Sequence, residues 1–295
     1  MKKFLISLVA VLFALSTMIV SVSANHDGEA IRIGSKDFTE NLLVAEIYAL
    51  ALEAEGFEVE RIPAISSAIV HTAITNNEID LYPEYTGTGL LIVLQLPMET
   101  DPEKVFEIVK AEYDEQFSLT WLDYAQANDS QGLVISTAKA DELGIVTISD
   151  LQIHAKDLRF ASQGEFDMRE DGIPGLESVY GKFDWASSTI YDNSLKYQVL
   201  MNDEADVTPA YTTEGQLVNT DLYTVLEDDQ QFWPPYNLAP IVRNNVLEAH
   251  PEIENILGEI NEQLDTELMI ELNAKVDVDG EEYLEVAQEY FDSLK

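Results

Sequence analysis

Two tyrosines at matched places are the side chains best suited to recognise a ligand. Residues 74 to 87 read ITNNEIDLYPEYTG and residues 200 to 213 read LMNDEADVTPAYTT. In register they agree at six positions, pairing Asn76 with Asn202, Glu78 with Glu204, Asp80 with Asp206, Pro83 with Pro209, Tyr85 with Tyr211 and Thr86 with Thr212. Each copy reads as a short strand ending in Pro-x-Tyr-Thr, which sets Tyr85 and Tyr211 just beyond a strand's carboxyl end, where open α/β sheets bind ligands. The recurrence separates Tyr85 from Tyr82, which reads as an ordinary half-buried aromatic. Catalytic and metal chemistry find little support. His26, His71, His154 and His250 lack zinc-ligand spacing, and His71 falls on a helix where a surface role is expected. There is no cysteine, no Gly-x-Ser-x-Gly elbow and no phosphate-binding glycine loop. Asp277-Val278-Asp279-Gly280 looks like part of a calcium loop, but its frame puts Val286 at the twelfth position, so the segment reads as the cap of the last helix.

The elements that must position these tyrosines recur as well. Ile31-Arg-Ile-Gly-Ser35 matches Leu158-Arg-Phe-Ala-Ser162 at an offset of 127, against 126 for the tyrosine segments. So long a period excludes a solenoid and favours a duplicated α/β unit. A chain of 295 residues is long enough for two such domains. In the first half the pattern is strand Ala30 to Gly34, a helix through Glu55, strand Phe57 to Ile62, a helix from Ser66 to Asn77 capped by Ser66 or Ser67, and strand Ile79 to Tyr82. Asp101-Pro102 then starts a helix that runs to about Phe117. Gly132 to Ser136 and Leu238 to Arg243 read as strands that carry the chain between lobes, which places residues 25–131 and 238–295 in lobe one and 132–237 in lobe two. Strands alternating with helices predict parallel sheets.

The first 24 residues have a basic start, an apolar run from Phe4 to Val20 and a small-x-small end, the pattern of a secretory signal cut after Ala24. The alternative is a retained anchor, since the run approaches the length that spans a bilayer. With 16 basic and 55 acidic residues the formal charge is -39, a surface that repels phosphate backbones and makes nucleic acid a poor partner. The charge fits a salty or alkaline habitat, where screening removes self-repulsion.

The pieces GSKDFTE, DLYPEYTGTG, REDGIP with SVYG, PAYTTEG, and EDD with WPPY, in this order, resemble the exported substrate-binding proteins of osmoprotectant ABC importers, the glycine betaine, carnitine and choline binders. The resemblance covers essentially all of the chain after the signal. It implies a two-lobed type II periplasmic-binding-protein architecture with a hinge of two crossing strands. It implies a non-enzymatic, monomeric receptor, exported to the periplasm or cell surface, with a small osmolyte and an ABC permease as partners and no metal or cofactor. Carried over by motif, Tyr85, Tyr211 and Tyr236 form a cage for a quaternary ammonium, which has no N–H to donate and is recognised by ring faces. Lys36, Thr88 and Arg169 bind the ligand's carboxylate, with Thr88 at a helix start that favours an anion. Gln131 stands where many relatives have a fourth cage tyrosine. Trp233 reads as packing for the Pro-Pro bend. A same-fold receptor for another small zwitterion, and an exported carboxylate-dependent hydrolase, are the competing functions.

Overall fold

The computed structural model describes residues 30–164 and 166–295, so the expected signal segment lies outside the described residues. Ten strands follow in chain order: β1 (Ile31–Lys36), β2 (Val59–Ile65), β3 (Leu81–Tyr85), β4 (Leu119–Trp121), β5 (Gln131–Ser136), β6 (Arg159–Ser162), β7 (Ser187–Ile190), β8 (Val207–Tyr211), β9 (Tyr223–Val225) and β10 (Leu238–Arg243). They form two five-stranded sheets, β2-β1-β3-β10-β4 and β7-β6-β8-β5-β9. In each sheet the first three strands are parallel. The fourth, β10 or β5, runs antiparallel to both of its neighbours. The parallel expectation therefore holds for the strands joined by helices, while each return strand inverts the local direction. Two α/β sheets of one topology make the two-lobed fold.

The duplication persists at atomic detail. Arg32 on β1 clamps Asp80: its backbone N and Nε donate to Oδ2 at 3.0 and 2.9 Å, and Nη2 donates to Oδ1 at 2.7 Å. Arg159 on β6 clamps Asp206 in the same way, at 2.7, 3.0 and 2.8 Å. Each arginine also donates to the carbonyl of a left-handed residue, Asn77 (φ 63) or Asp203 (φ 57). These positive-φ turns fix where β3 and β8 begin. Burial would push Asp80 and Asp206 up, but the arginine bonds prevail and hold both carboxyls below their ordinary range.

Lobe one owes its core to the helix Thr39–Ala54, buried nearly all round because the sheet lies on one side and the C-terminal helices on the other. Gly56, at φ 94, ends it. The helix Pro102–Phe117 starts as expected, with Asp101 accepting from Glu103 N and Lys104 N at 3.1 Å. Two local expectations fail. The second helix spans only Val70–Thr75, and Ile69 rather than a serine precedes it without a side-chain cap. Asp277 ends the helix Thr266–Asp277, Gly280 turns at φ 77, and the last helix starts at Tyr283, so the Asp-Val-Asp-Gly segment caps nothing there. His71 also departs from its expected surface role. Its ring packs edge-on against Tyr113 at 5.4 Å and Phe117 at 4.7 Å, and burial lowers its pKa despite the opposing charge of Glu84.

The chain passes between lobes twice, from β4 to β5 and from β9 to β10, and the two passages pair antiparallel at Asn128 and Asn237. Matched threonines tie them down. Thr86 Oγ1 donates to Pro235 O and accepts from Asn237 N, both at 3.0 Å. Thr212 Oγ1 donates to Asn128 O at 2.7 Å and accepts from Ser130 N at 2.9 Å. The recurring Tyr-Thr pair thus puts a tyrosine and a hinge clamp side by side in each lobe.

Candidate functional site

On the lobe-one side, Lys36 ends β1 and is 4% exposed. Its ammonium pairs with Glu84 and lies 5.0 Å from the centre of the Tyr85 ring. Glu84 also accepts from Tyr82 Oη at 3.1 Å and Tyr85 N at 2.8 Å. A buried lysine needs such a partner, and Lys36 has one within its own sheet. Tyr82 is accordingly structural, wholly buried behind Glu84. Tyr85 ends β3. Its ring stacks on Phe38, with centres 6.0 Å apart, and its hydroxyl donates to Glu40 Oε1 at 2.8 Å. Thr88 sits half-buried in the following turn. That turn also receives Tyr236: a Cβ on Gly87 would fall 2.7 Å from Tyr236 Cδ1, so only glycine admits the ring so close to the backbone.

On the lobe-two side, Tyr211 ends β8, is 43% exposed, and stands opposite Gln131 in the antiparallel register of β5 and β8. Gln131 is buried, and its amide donates to Asp171 Oδ2 at 2.9 Å. Asp171 also takes the fork of Arg169, with Nε on Oδ1 at 2.7 Å and Nη2 on Oδ2. The indole N–H of Trp233 fixes the Asp171 carbonyl at 2.8 Å, and its ring belongs to the lobe-two core beside Phe232. Trp233 is thus packing, and through Asp171 it also steadies Arg169.

Asp129 connects the two sides. It lies half-buried on the first passage, with its N–H on Tyr236 O at 3.1 Å and its Oδ1 receiving the Thr213 hydroxyl at 2.8 Å. Burial pushes its carboxyl up, and the charge of Glu40 pushes it further. Burial raises the phenols of Tyr85, Tyr211 and Tyr236 in turn, and the Asp129 carboxylate adds to the rise at all three. Asp129 is thus bonded to the Tyr236 carbonyl and to Thr213, its charge is felt at Tyr85 and Tyr211, and Lys36 and Arg169 are each already paired to a carboxylate. Sequence reasoning missed Phe38, Glu40 and Asp129. Glu40 lay inside a quoted motif, but with 55 acidic residues no single one stood out. Tyrosine rings in an acidic surrounding suit a cation without N–H donors. Among the described residues no group of His, Asp or Glu is arranged to hold a metal ion.

Paired α/β lobes, two passages between them and ligand-type residues drawn from both sides define a two-lobed solute receptor. The chain belongs to the family of substrate-binding domains of ABC-type glycine betaine transport systems, whose model matches residues 29–293. It is 32% identical over 272 residues to a glycine-betaine-binding protein of Pseudomonas aeruginosa, covering 89% of this chain and 87% of that one. It is 30% identical over 264 residues to the ergothioneine transport permease/ergothioneine binding protein of Helicobacter pylori, covering 89% of this chain but 47% of that protein, so the chain spans about half of that relative's length. Among solved structures, that of a glycine betaine/carnitine/choline ABC transporter superposes with a TM-score of 0.84 at 26% identity, covering 89% of this chain and 98% of that one. No helix among the described residues is long and apolar enough to cross a membrane.

Proposed function

We propose that the protein captures a quaternary-ammonium solute of the glycine betaine, choline or carnitine class outside the cytoplasmic membrane and delivers it to an ABC permease, without chemistry of its own. The observation that carries this reading is the family match over residues 29–293, supported by Tyr85 and Tyr211 at the matched strand ends of the two lobes and by Tyr236 of the second passage packed over Gly87. Closure of residues 132–237 on residues 25–131 and 238–295 would bring Tyr211 onto a ligand resting against Tyr85 and Tyr236. Lys36, Thr88 and Arg169 serve a ligand carboxylate, where Arg169 can offer a planar fork once Asp171 yields part of it. Export rests on the signal-like residues 1–24.

A thermal-shift panel of glycine betaine, choline, carnitine and ergothioneine tests the reading. A ligand that binds only the folded state stabilises it by about 2.7 kcal/mol at a hundredfold excess over its Kd. The expected result is a concentration-dependent rise for at least one quaternary ammonium, with the ligand recovered unchanged. A flat panel would remove the reading.

A further inference from the structure

The helix Thr266–Asp277 serves both lobes at once. Met269 and Leu272, with Val276 a turn further on, belong to the lobe-one core. Ile270, Asn273 and Ala274, spaced as neighbours on one side of a helix, turn the other way. Ile270 packs on the lobe-two cluster that holds Tyr197, Leu217 and Tyr223. Ala274 meets Gly215 of lobe two backbone to backbone, so closely that a Cβ on Gly215 would fall 2.6 Å from Ala274 N and 2.7 Å from Ala274 Cα. Beside this contact Asn273 is buried, and its Nδ2 donates to Glu40 Oε2 of lobe one at 3.1 Å and to Thr213 O of lobe two at 2.8 Å. An amide nitrogen carries two hydrogens, so one serves each lobe. Asn273 Oδ1, also buried, has no partner among the described residues. Rotating the amide would set that oxygen against a carboxylate and a carbonyl, so the two donors fix its orientation, and a bare buried acceptor is tolerated for their sake.

We propose that Asn273 is a positioning residue for the receptor, setting the angle between the lobes from behind the ligand tyrosines. The connection runs from atom to atom. Tyr85 Oη donates to Glu40 Oε1 at 2.8 Å, Asn273 bonds Glu40 and Thr213, and Thr213 lies two residues beyond Tyr211. The first passage is held by the same neighbours, with Thr213 Oγ1 donating to Asp129 Oδ1 at 2.8 Å and Asn128 N donating to Thr266 Oγ1 at 3.1 Å. Two passages that pair at one point leave lobe two free to twist as well as to close. A third tie, separate from both, restrains the twist, so that closure carries Tyr211 toward Tyr85. This rests on the two-lobed receptor reading above and adds to it what selects the closing motion.

The chain has no cysteine, and Ile92 of lobe one and Ile153 of lobe two are exposed, so spin labels at Ile92→Cys and Ile153→Cys can report the distance between lobes. Without ligand, electron paramagnetic resonance should give one narrow distance distribution. Asn273→Leu, which keeps the size and removes the donors, should broaden it. Affinity for glycine betaine and for choline should then fall by the same factor, roughly threefold to thirtyfold, because a competent pose that is less populated weakens every ligand alike. A role in stability alone would lower the melting temperature and leave distances and affinities well below it unchanged. An unbroadened distribution, undiminished affinity or unequal losses for the two ligands would overturn the proposal. Should Asn273→Leu not fold, Gly215→Ala forces the helix and lobe two apart at the neighbouring contact and should move and widen the same distribution, and a parent-like distribution there would overturn the proposal instead. If the parent binds no quaternary ammonium, the receptor reading falls, while the ligand-free distances still decide the role of Asn273.

Discussion

In lobe one, β3 ends in Tyr85, which is 3% exposed and fastened to Glu40, whereas in lobe two β8 ends in Tyr211, which is 43% exposed. The frames behind these ends are built from the same bonds: arginine on aspartate, arginine on a left-handed turn, threonine on a passage. What duplication kept is whatever sets a strand's position. The strand-end tyrosine was kept too, but its surroundings diverged, leaving a fixed wall on one side and a presented ring on the other. Such a pair is asymmetric in use. Tyr85 is organised before a ligand arrives, while Tyr211 can gain its burial on closure.

The frames can be broken separately, because they are not equally braced. Asp80 takes a further bond from Arg243 Nη1 at 3.0 Å, whereas beyond the Arg159 clamp itself the Asp206 carboxylate is aided only by the more distant charge of Lys139. Charge-assisted hydrogen bonds contribute about 1.5–3 kcal/mol each, and these clamps are partly open to solvent, so Asp80→Asn should cost roughly 2–3 kcal/mol and Asp206→Asn less. Denaturant midpoints check the order, and equal losses would contradict it. The same aspartates set an acid limit. Their native pKa values are depressed, so their contribution is present above the ordinary carboxylate value of about 3.9 and is lost as pH falls through the lowered native values. Melting temperature followed from pH 5 downward should therefore drop only in that acid range, and Asp80→Asn should blunt the drop.

A smaller effect tests where the lobes touch away from the tyrosines. A Cβ on Gly215 of lobe two would meet Ala274 N at 2.6 Å, backbone of the lobe-one helix Thr266–Asp277. Backbone cannot swing aside as a side chain can, so Gly215→Ala should destabilise by about 1–3 kcal/mol, the usual cost of overpacking. An unchanged melting temperature would mean that this contact yields freely. Smallest of all is the salt effect. Excess negative charge opposes compaction, and the Debye length falls to about 3 Å at 1 M salt, so the melting temperature should climb through the first few tenths molar and then level. A flat curve would remove the salty-habitat reading and nothing else.

Much of this was legible because the frame repeats. Aligning Asp80 with Asp206 and Arg32 with Arg159 was enough to place the strands and their tyrosines, and Asp101-Pro102 marked its helix start. The short strands were not legible: β4 and β9 have three residues each, and β7, Ser-Ser-Thr-Ile, is exposed throughout and carries no apolar alternation. Within the site, aromatic and basic residues were visible through rarity, since the chain has 13 tyrosines and 16 basic residues. Their acidic partners were hidden by abundance, and only distances assign Glu84 to Lys36, Asp171 to Gln131, and Thr213 to Asp129. Gln131 is the clearest instance. Its sequence shows a missing ring, whereas its amide shows an anchor for Asp171.

Calorimetric titration of glycine betaine and choline into the parent and Tyr211→Ala tests the central claim most directly. A ring face on a quaternary ammonium contributes about 0.5–2 kcal/mol, so the exposed tyrosine's removal should weaken binding by roughly twofold to thirtyfold with the melting temperature of the ligand-free protein little changed. Undiminished affinity in Tyr211→Ala would contradict the account, because the two lobes would then not meet on the ligand through their matched strand ends.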